Sequence, residues 1–166
     1  MNKVSIQIIT VAFIFYASFN NLMANEFTSG VGAANYYSGV GVNAGLVRNN
    51  SISYISAGCP VIAASSGAGT VPVCGVGVGW ISTNIIPNKN NKHALGVYAG
   101  ILTGSVRFEN ENSFVTHKYG AGINYTYFFR SINTNGWNVG VFLGMYSDDD
   151  KWSSFGAPTL GYQFHY

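Results

Sequence analysis

The chain has 166 residues, a formal net charge of +2, 8% charged residues and 15% aromatic residues, against the ~25% charge usual in soluble domains. Few charges and many aromatics exclude disorder and speak against a soluble α/β enzyme, whose surface at this size needs more charge. Arg48, Arg107 and Arg130 are scattered, so no basic cluster marks a nucleic-acid footprint and no nucleic-acid partner is expected.

The N-terminus reads as an address. Lys3 is a short positive region, Ile6 to Phe19 is mostly apolar, Asn20 and Asn21 break the run, and Leu22-Met23-Ala24 offers a small residue for cleavage. This pattern predicts a secretory signal peptide over 1–24, removed before Asn25, and one mature domain over 25–166. The apolar run is shorter than the ~20 residues of a membrane-spanning helix. Export gives Cys59 and Cys74 an oxidising compartment, where an even pair is expected to bridge. Closing that loop stabilises by roughly 3 kcal/mol in the loop-entropy account. No CxxC spacing occurs and no His neighbours the pair, so no metal site and no cofactor is expected.

Beyond the leader the chain alternates with period two. Eight strands are predicted, at 27–37, 39–48, 51–57, 74–86, 93–108, 115–129, 137–147 and 157–166. In the second, Val40, Val42, Ala44 and Leu46 oppose Gly41, Asn43 and Gly45. In the fourth, Val76, Val78 and Trp80 share a face that Ser82 and Asn84 then take over, which predicts a bulge near Trp80-Ile81. In the fifth, Leu95, Val97, Ala99 and Ile101 oppose Gly96, Tyr98, Gly100 and Leu102. The sixth sets Tyr119, Ala121, Ile123, Tyr125, Tyr127 and Phe129 against Gly120, Gly122, Asn124, Thr126 and Phe128. The seventh sets Trp137, Val139, Val141, Leu143 and Met145 against Asn138, Gly140, Phe142, Gly144 and Tyr146. The last sets Pro158, Leu160, Tyr162, Phe164 and Tyr166 against Ala157, Thr159, Gly161, Gln163 and His165. Polar turn signals fall at Arg48–Asn50, Pro87–Lys92 and Arg130–Gly136. Other breaks are read at Tyr37–Gly39, in a cysteine loop from Gly58 to Cys74, at Glu109–Ser113 and at Ser147–Gly156.

Glycine crowds the second face of these strands. Glycines cannot fill a soluble core, but turned inward they suit a narrow barrel, leaving the bulky apolar face toward lipid. A closed barrel is the β structure that satisfies its backbone within a bilayer. The expectation is therefore an all-β fold, an eight-stranded antiparallel transmembrane β-barrel preceded by a cleaved signal peptide. Tyr127, Phe129, Trp137, Phe164 and Tyr166 fall near one rim, as an interfacial aromatic girdle requires.

The chain closes on Thr159-Leu160-Gly161-Tyr162-Gln163-Phe164-His165-Tyr166. This resembles the C-terminal insertion signal of bacterial outer-membrane barrels, in which a polar residue, a glycine and two aromatics recur at the positions of Thr159, Gly161, Phe164 and Tyr166. In size and strand number the mature chain resembles the small eight-stranded bacterial outer-membrane β-barrel proteins of the OmpX/Ail kind and the OmpA transmembrane domain. The resemblance implies the bacterial outer membrane as location. It also implies outer-membrane lipid and lipopolysaccharide as surroundings, recognition by the barrel assembly machinery, and a monomer. The chain departs from that family in an inferred lumen almost free of charge and in lacking long charged loops.

Three functions fit. The first is a non-enzymatic barrel with a structural or surface-interaction role. The second is a lipid-binding or lipid A-modifying barrel, with glycines around Tyr98, Leu102, Phe142 and Tyr146 leaving a slot for an acyl chain, and with His117, Asp148 and Ser153 near one rim. The third is a narrow, porin-like pore. No catalytic residues are assigned, because the His-x-Ser spacing of lipid A deacylases is absent at His93, His117 and His165. Asp148, Asp149 and Asp150 form an acidic run that offers hard oxygen ligands to a cation at the outer rim.

Overall fold

A computed structural model of the chain describes residues 26–65, 69–86, 89–109, 112–148 and 151–166. The expected leader, and Asp149 and Asp150, lie outside these residues. Eight strands close into one antiparallel barrel in sequence order: β1 (Glu26–Ala33), β2 (Val40–Arg48), β3 (Ser51–Ser65), β4 (Gly69–Ser82), β5 (His93–Glu109), β6 (Asn112–Phe128), β7 (Gly136–Asp148) and β8 (Lys151–His165). Apart from one 3-10 turn, Asn35–Tyr37, the described residues hold no helix.

Local chemistry explains the plain hairpins. β2 and β3 meet at Arg48↔Ser51 across Asn49 and Asn50, whose φ angles are 49° and 60°. Two successive left-handed residues match the right-handed twist of a two-residue hairpin, and asparagine tolerates them well. Glu26, Tyr166 and the β2–β3, β4–β5 and β6–β7 connections share one end of the barrel, the termini end. The other four connections share the hairpin end.

Several boundaries differ from the sequence reading. The first strand stops at Ala33 rather than running to 37, because the chain turns into the barrel there. The cysteine loop is not a loop: β3 and β4 continue through it, with Val61↔Val73 and Ile62↔Pro72 paired. Val and Ile suit a pleated surface. Pro72 is tolerated because the ladder from β4 to β5 begins only at Gly77, leaving its missing N–H without a partner to disappoint. The predicted loop 147–156 is likewise mostly strand, with Trp152↔Ser147 and Phe155↔Gly144 extending the ladder.

The irregularities also sit elsewhere than expected. Trp80-Ile81 pairs regularly with Ser53 and Ile52, and the strand ends at Ser82, so Asn84 never competes for its face. One register shift falls between Gly58 and Val61, beside the Cys59–Cys74 disulfide that joins β3 to β4. A second falls between Ile101 and Thr103. There Ile101 and Leu102 are both fully buried, so Ile101 leaves the outward face that alternation assigned to it. Ladder lengths are uneven. β5 and β6 pair from His93↔Tyr127 to Glu109↔Asn112, whereas β1 and β8 pair only from Thr28↔His165 to Ala33↔Leu160. β4 and β5 pair only from Gly77↔Gly100 to Ser82↔Leu95.

The two faces separate as alternation predicts. Leu143, Ile123 and Leu160 point outward at 61%, 59% and 52% exposure, as do Val31, Val42, Ile55, Val76, Val97 and Val141. Ile52, Tyr54, Tyr98, Phe128, Phe142, Asn43, Asn124, Asn138 and Gln163 are buried in the middle.

Candidate functional site: a stoppered lumen inside an apolar shell

The lumen is closed by the connection between β1 and β2. Ala34 leaves the strand at φ 77°, ψ −165°, a region nearly reserved for glycine. Asn35–Tyr37 then forms a 3-10 turn, closed by Tyr37 N–H donating to Ala34 O at 2.9 Å and Gly39 N–H to the same oxygen at 3.0 Å. Ser38 is left-handed at φ 57° and Gly39 takes φ 104°. A side chain at Gly39 would also collide with the backbone of Cys59 and Pro60. The turn therefore drops its residues into the barrel, and Asn35, Tyr36, Tyr37 and Ser38 are all buried.

Hydrogen bonds and rings hold this stopper. The Ser38 hydroxyl lies 2.7 Å from that of Ser56 on β3 and 3.0 Å from that of Tyr98 on β5. Tyr98 donates to Ile101 O at 3.0 Å. Asn138 Nδ2 on β7 donates to the Tyr37 hydroxyl at 2.9 Å. Asn43 Nδ2 reaches Tyr36 O at 3.4 Å. The Tyr36 ring meets Tyr54 edge-on, centroids 4.5 Å apart, a geometry that adds about 0.5–1.5 kcal/mol beyond area. One six-residue connection thus touches strands around the circumference.

Glycine makes room for these rings. A Cβ at Gly77 would strike Tyr98, at Gly79 Tyr54, at Gly161 Tyr37, and at Gly122 or Gly144 Phe142. In the slot expected around Tyr98, Leu102, Phe142 and Tyr146, the side chains of Tyr98, Leu102 and Phe142 lie over the glycines and Tyr146 packs against the same core. Interiors pack to crystal-like density, and here large inward rings lie over glycines of their own or the neighbouring strand. Below the stopper, Gln163 Nε2 donates to Thr28 Oγ1 at 2.7 Å and to Asn43 Oδ1 at 3.0 Å. At the termini end, Val47, Ile52, Ile81, Ala94, Phe128 and Ile132 form an apolar floor.

The shell is equally ordered by chemistry. Asp, Glu, Lys and Arg are absent from 27–47, 49–88, 93–106, 119–129, 131–147 and 152–166. Charges fall at the barrel's two ends, around a band of exposed Val, Ile, Leu and Met. Near the termini end the expected rings cluster. Tyr127 and Phe129 lie 5.5 Å apart by centroid, Trp137 and Tyr162 5.4 Å, Tyr162 and Phe164 4.8 Å, and Phe27 and Tyr166 6.0 Å. Phe27, Tyr162 and His93 join the rings that sequence alone singled out; His93 Nδ1 lies 2.7 Å from the Tyr125 hydroxyl. Of the terminal motif, Thr159 and Gly161 face the lumen and Phe164 and Tyr166 face outward. A shallow depression of about 510 Å³ on the outward face lies among Ala121, Ile123, Leu143, Met145, Ser154 and Gly156.

The rim residues do not converge. His117 stacks on Tyr119 along the outward face of β6, centroids 6.4 Å apart. Ser153 is paired with Tyr146 on the opposite, inward face of the wall. A nucleophile and its base need hydrogen-bond reach, and this pair is on two sides of the sheet. Asp148 ends β7, and its two acidic neighbours fall outside the described residues. A small pocket of about 160 Å³ sits over the stopper, among Asn35, Gly39, Cys59, Leu102 and Phe155.

The stopper was the feature least visible beforehand. Tyr36 and Tyr37 fall within the predicted strand 27–37, and the break read at Tyr37–Gly39 marks a turn without giving its direction. Comparison with protein-family models, with curated proteins and with solved structures found no match to this chain.

Proposed function

We propose that this chain is an integral outer-membrane β-barrel with a structural or surface-interaction role, and that it neither conducts nor catalyses. The observation that carries this reading is the apolar, charge-free outward band between two charged rims. In water such a surface far exceeds the few hundred Å² of contiguous apolar patch that soluble monomers expose. In hydrocarbon it is the expected exterior of a barrel. The ring cluster near the termini end serves as an interfacial girdle, and the terminal Thr159, Gly161, Phe164 and Tyr166 as the signal for barrel assembly. Residues 1–24 act as the export leader. The termini end then faces the periplasm and the hairpin end faces the lipopolysaccharide leaflet.

The stopper and the apolar floor argue for a closed interior over a pore. Eight strands leave an interior that side chains fill, and here the stopper completes the filling. The test joins three measurements on the expressed protein: fractionation with outer membranes, mobility of boiled against unboiled samples on a gel, and current across planar bilayers. Outer-membrane recovery, a heat-dependent shift and no unitary conductance are expected. Recovery in the soluble fraction removes the membrane reading, and steady channel current removes the closed one.

A further inference from the structure

Between the stopper and the apolar floor lies a polar belt whose hydrogen-bonding capacity is only partly used. Tyr54 Oη, Asn124 Oδ1 and Nδ2, Thr126 Oγ1, Thr159 Oγ1 and Gln163 Oε1 are buried and have no protein partner. Their residues are at most 3% exposed. They belong to one section of the barrel. Thr126, Gly140 and Thr159 form a continuous row across β6, β7 and β8. Asn124 stands one inward position further along β6, opposite Phe142. The Tyr54 and Tyr36 rings meet from β3 and the stopper, and Gln163 reaches in from β8. Native structures leave few buried polar groups unsatisfied, and each dry one costs about 1–3 kcal/mol. So many in one belt is too large a penalty for a fold whose total stability is typically about 5–15 kcal/mol.

We infer that this belt is a binding site for water, with ordered molecules bridging Asn124, Thr126 and Thr159 to the Tyr54 hydroxyl. A buried water makes about three hydrogen bonds, so the available atoms accommodate roughly two or three. The chemistry selects water over an ion. The belt offers only neutral hydroxyls and amides, and apolar side chains close the floor beneath it, so an ion of either sign loses hydration without gaining a counter-charge. The donor and acceptor mix also suits water, since Asn124 alone presents both kinds in one place. Bound water thus lets the barrel keep polar residues in its lumen while remaining closed.

This inference rests on the folded, stoppered barrel and not on which membrane holds it. The experiment uses detergent-folded full-length mature protein whose heat-dependent gel shift has first been verified, so that failure to fold is seen separately. Magnetisation transfer from water to the Asn124 side-chain amide is measured by NMR, with the side-chain amide of exposed Asn135 as a rapidly exchanging reference. A long-lived water contact at Asn124, weakened in the Thr126→Val/Thr159→Val double variant, is the expected result. The urea midpoint of that variant is expected to stay level or fall. Absence of water contact at Asn124 in the folded protein overturns the inference. So does a raised midpoint in the valine variant, because removing dry hydroxyls stabilises and removing water ligands does not.

Discussion

Tyr37 joins the lumen's two themes, ring filling and hydrogen bonding. Its ring lies where Gly32 and Gly161 leave space, and its hydroxyl binds Asn138, the β7 neighbour of Gly161. Loss of one partner of a buried pair leaves the other unsatisfied, at about 1–3 kcal/mol. Tyr37→Phe is therefore expected to lower stability by that amount, read as a lower urea midpoint for the detergent-folded protein. Tyr119→Phe, on the exposed outward face, is expected to leave the midpoint unchanged. Alternation identified Gly161 and Asn138 as inward residues, because a period of two is a local property. It did not identify their partner, because Tyr37 arrives from a connection whose direction depends on left-handed backbone at Ala34, Ser38 and Gly39.

Among the elements, the hairpins were legible where composition and pairing agree and obscure where they conflict. Asn49-Asn50 announces its turn in two letters. The stretch from Gly58 to Cys74 reads as loop because small residues and glycine dominate it, yet it is drawn into β3 and β4 by cross-strand pairing. Pairing energy is non-local, and a single strand's composition does not contain it. The expected Cys59–Cys74 bridge does form, between adjacent strands and not across an open loop. That setting changes its consequence. The roughly 3 kcal/mol from loop closure is gained by constraining the unfolded chain, in which the ladder is absent; in the folded barrel the bridge adds to a ladder that already joins these strands. The Cys59→Ser/Cys74→Ser variant is expected to lose no more than about 3 kcal/mol, checked by urea midpoints with and without reductant. The loss should be confined to β3 and β4 near the hairpin end in hydrogen exchange, while the β5–β6 amides keep their protection.

At the scale of the whole molecule, the sidedness of the wall decides everything above it. Leu143 sits midway along β7 in the apolar band. An arginine at the middle of a lipid-facing band costs about 2–4 kcal/mol, against about 0–1 near the interface. Leu143→Arg is expected to impair folding into lipid bilayers by that margin, whereas Phe164→Arg in the girdle is expected to be mild; urea titration in vesicles compares them. Charge is divided between the ends as well. Among the described residues Glu26, Arg48, Lys89, Lys92 and Arg130 attend the termini end, and Arg107, Glu109, Lys118, Asp148 and Lys151 lie toward the hairpin end. The uneven ladders add a last consequence. The two shortest seams, β8–β1 and β4–β5, carry six registered pairs each and lie on opposite sides of the circumference, so they divide the wall into two four-stranded shells, β1–β4 and β5–β8. A protease nick in the connection between Thr83 and Lys92 leaves both shells intact as chains. Two fragments divided in that connection and folded together in detergent are expected to rebuild the barrel, read as recovery of the heat-dependent gel shift.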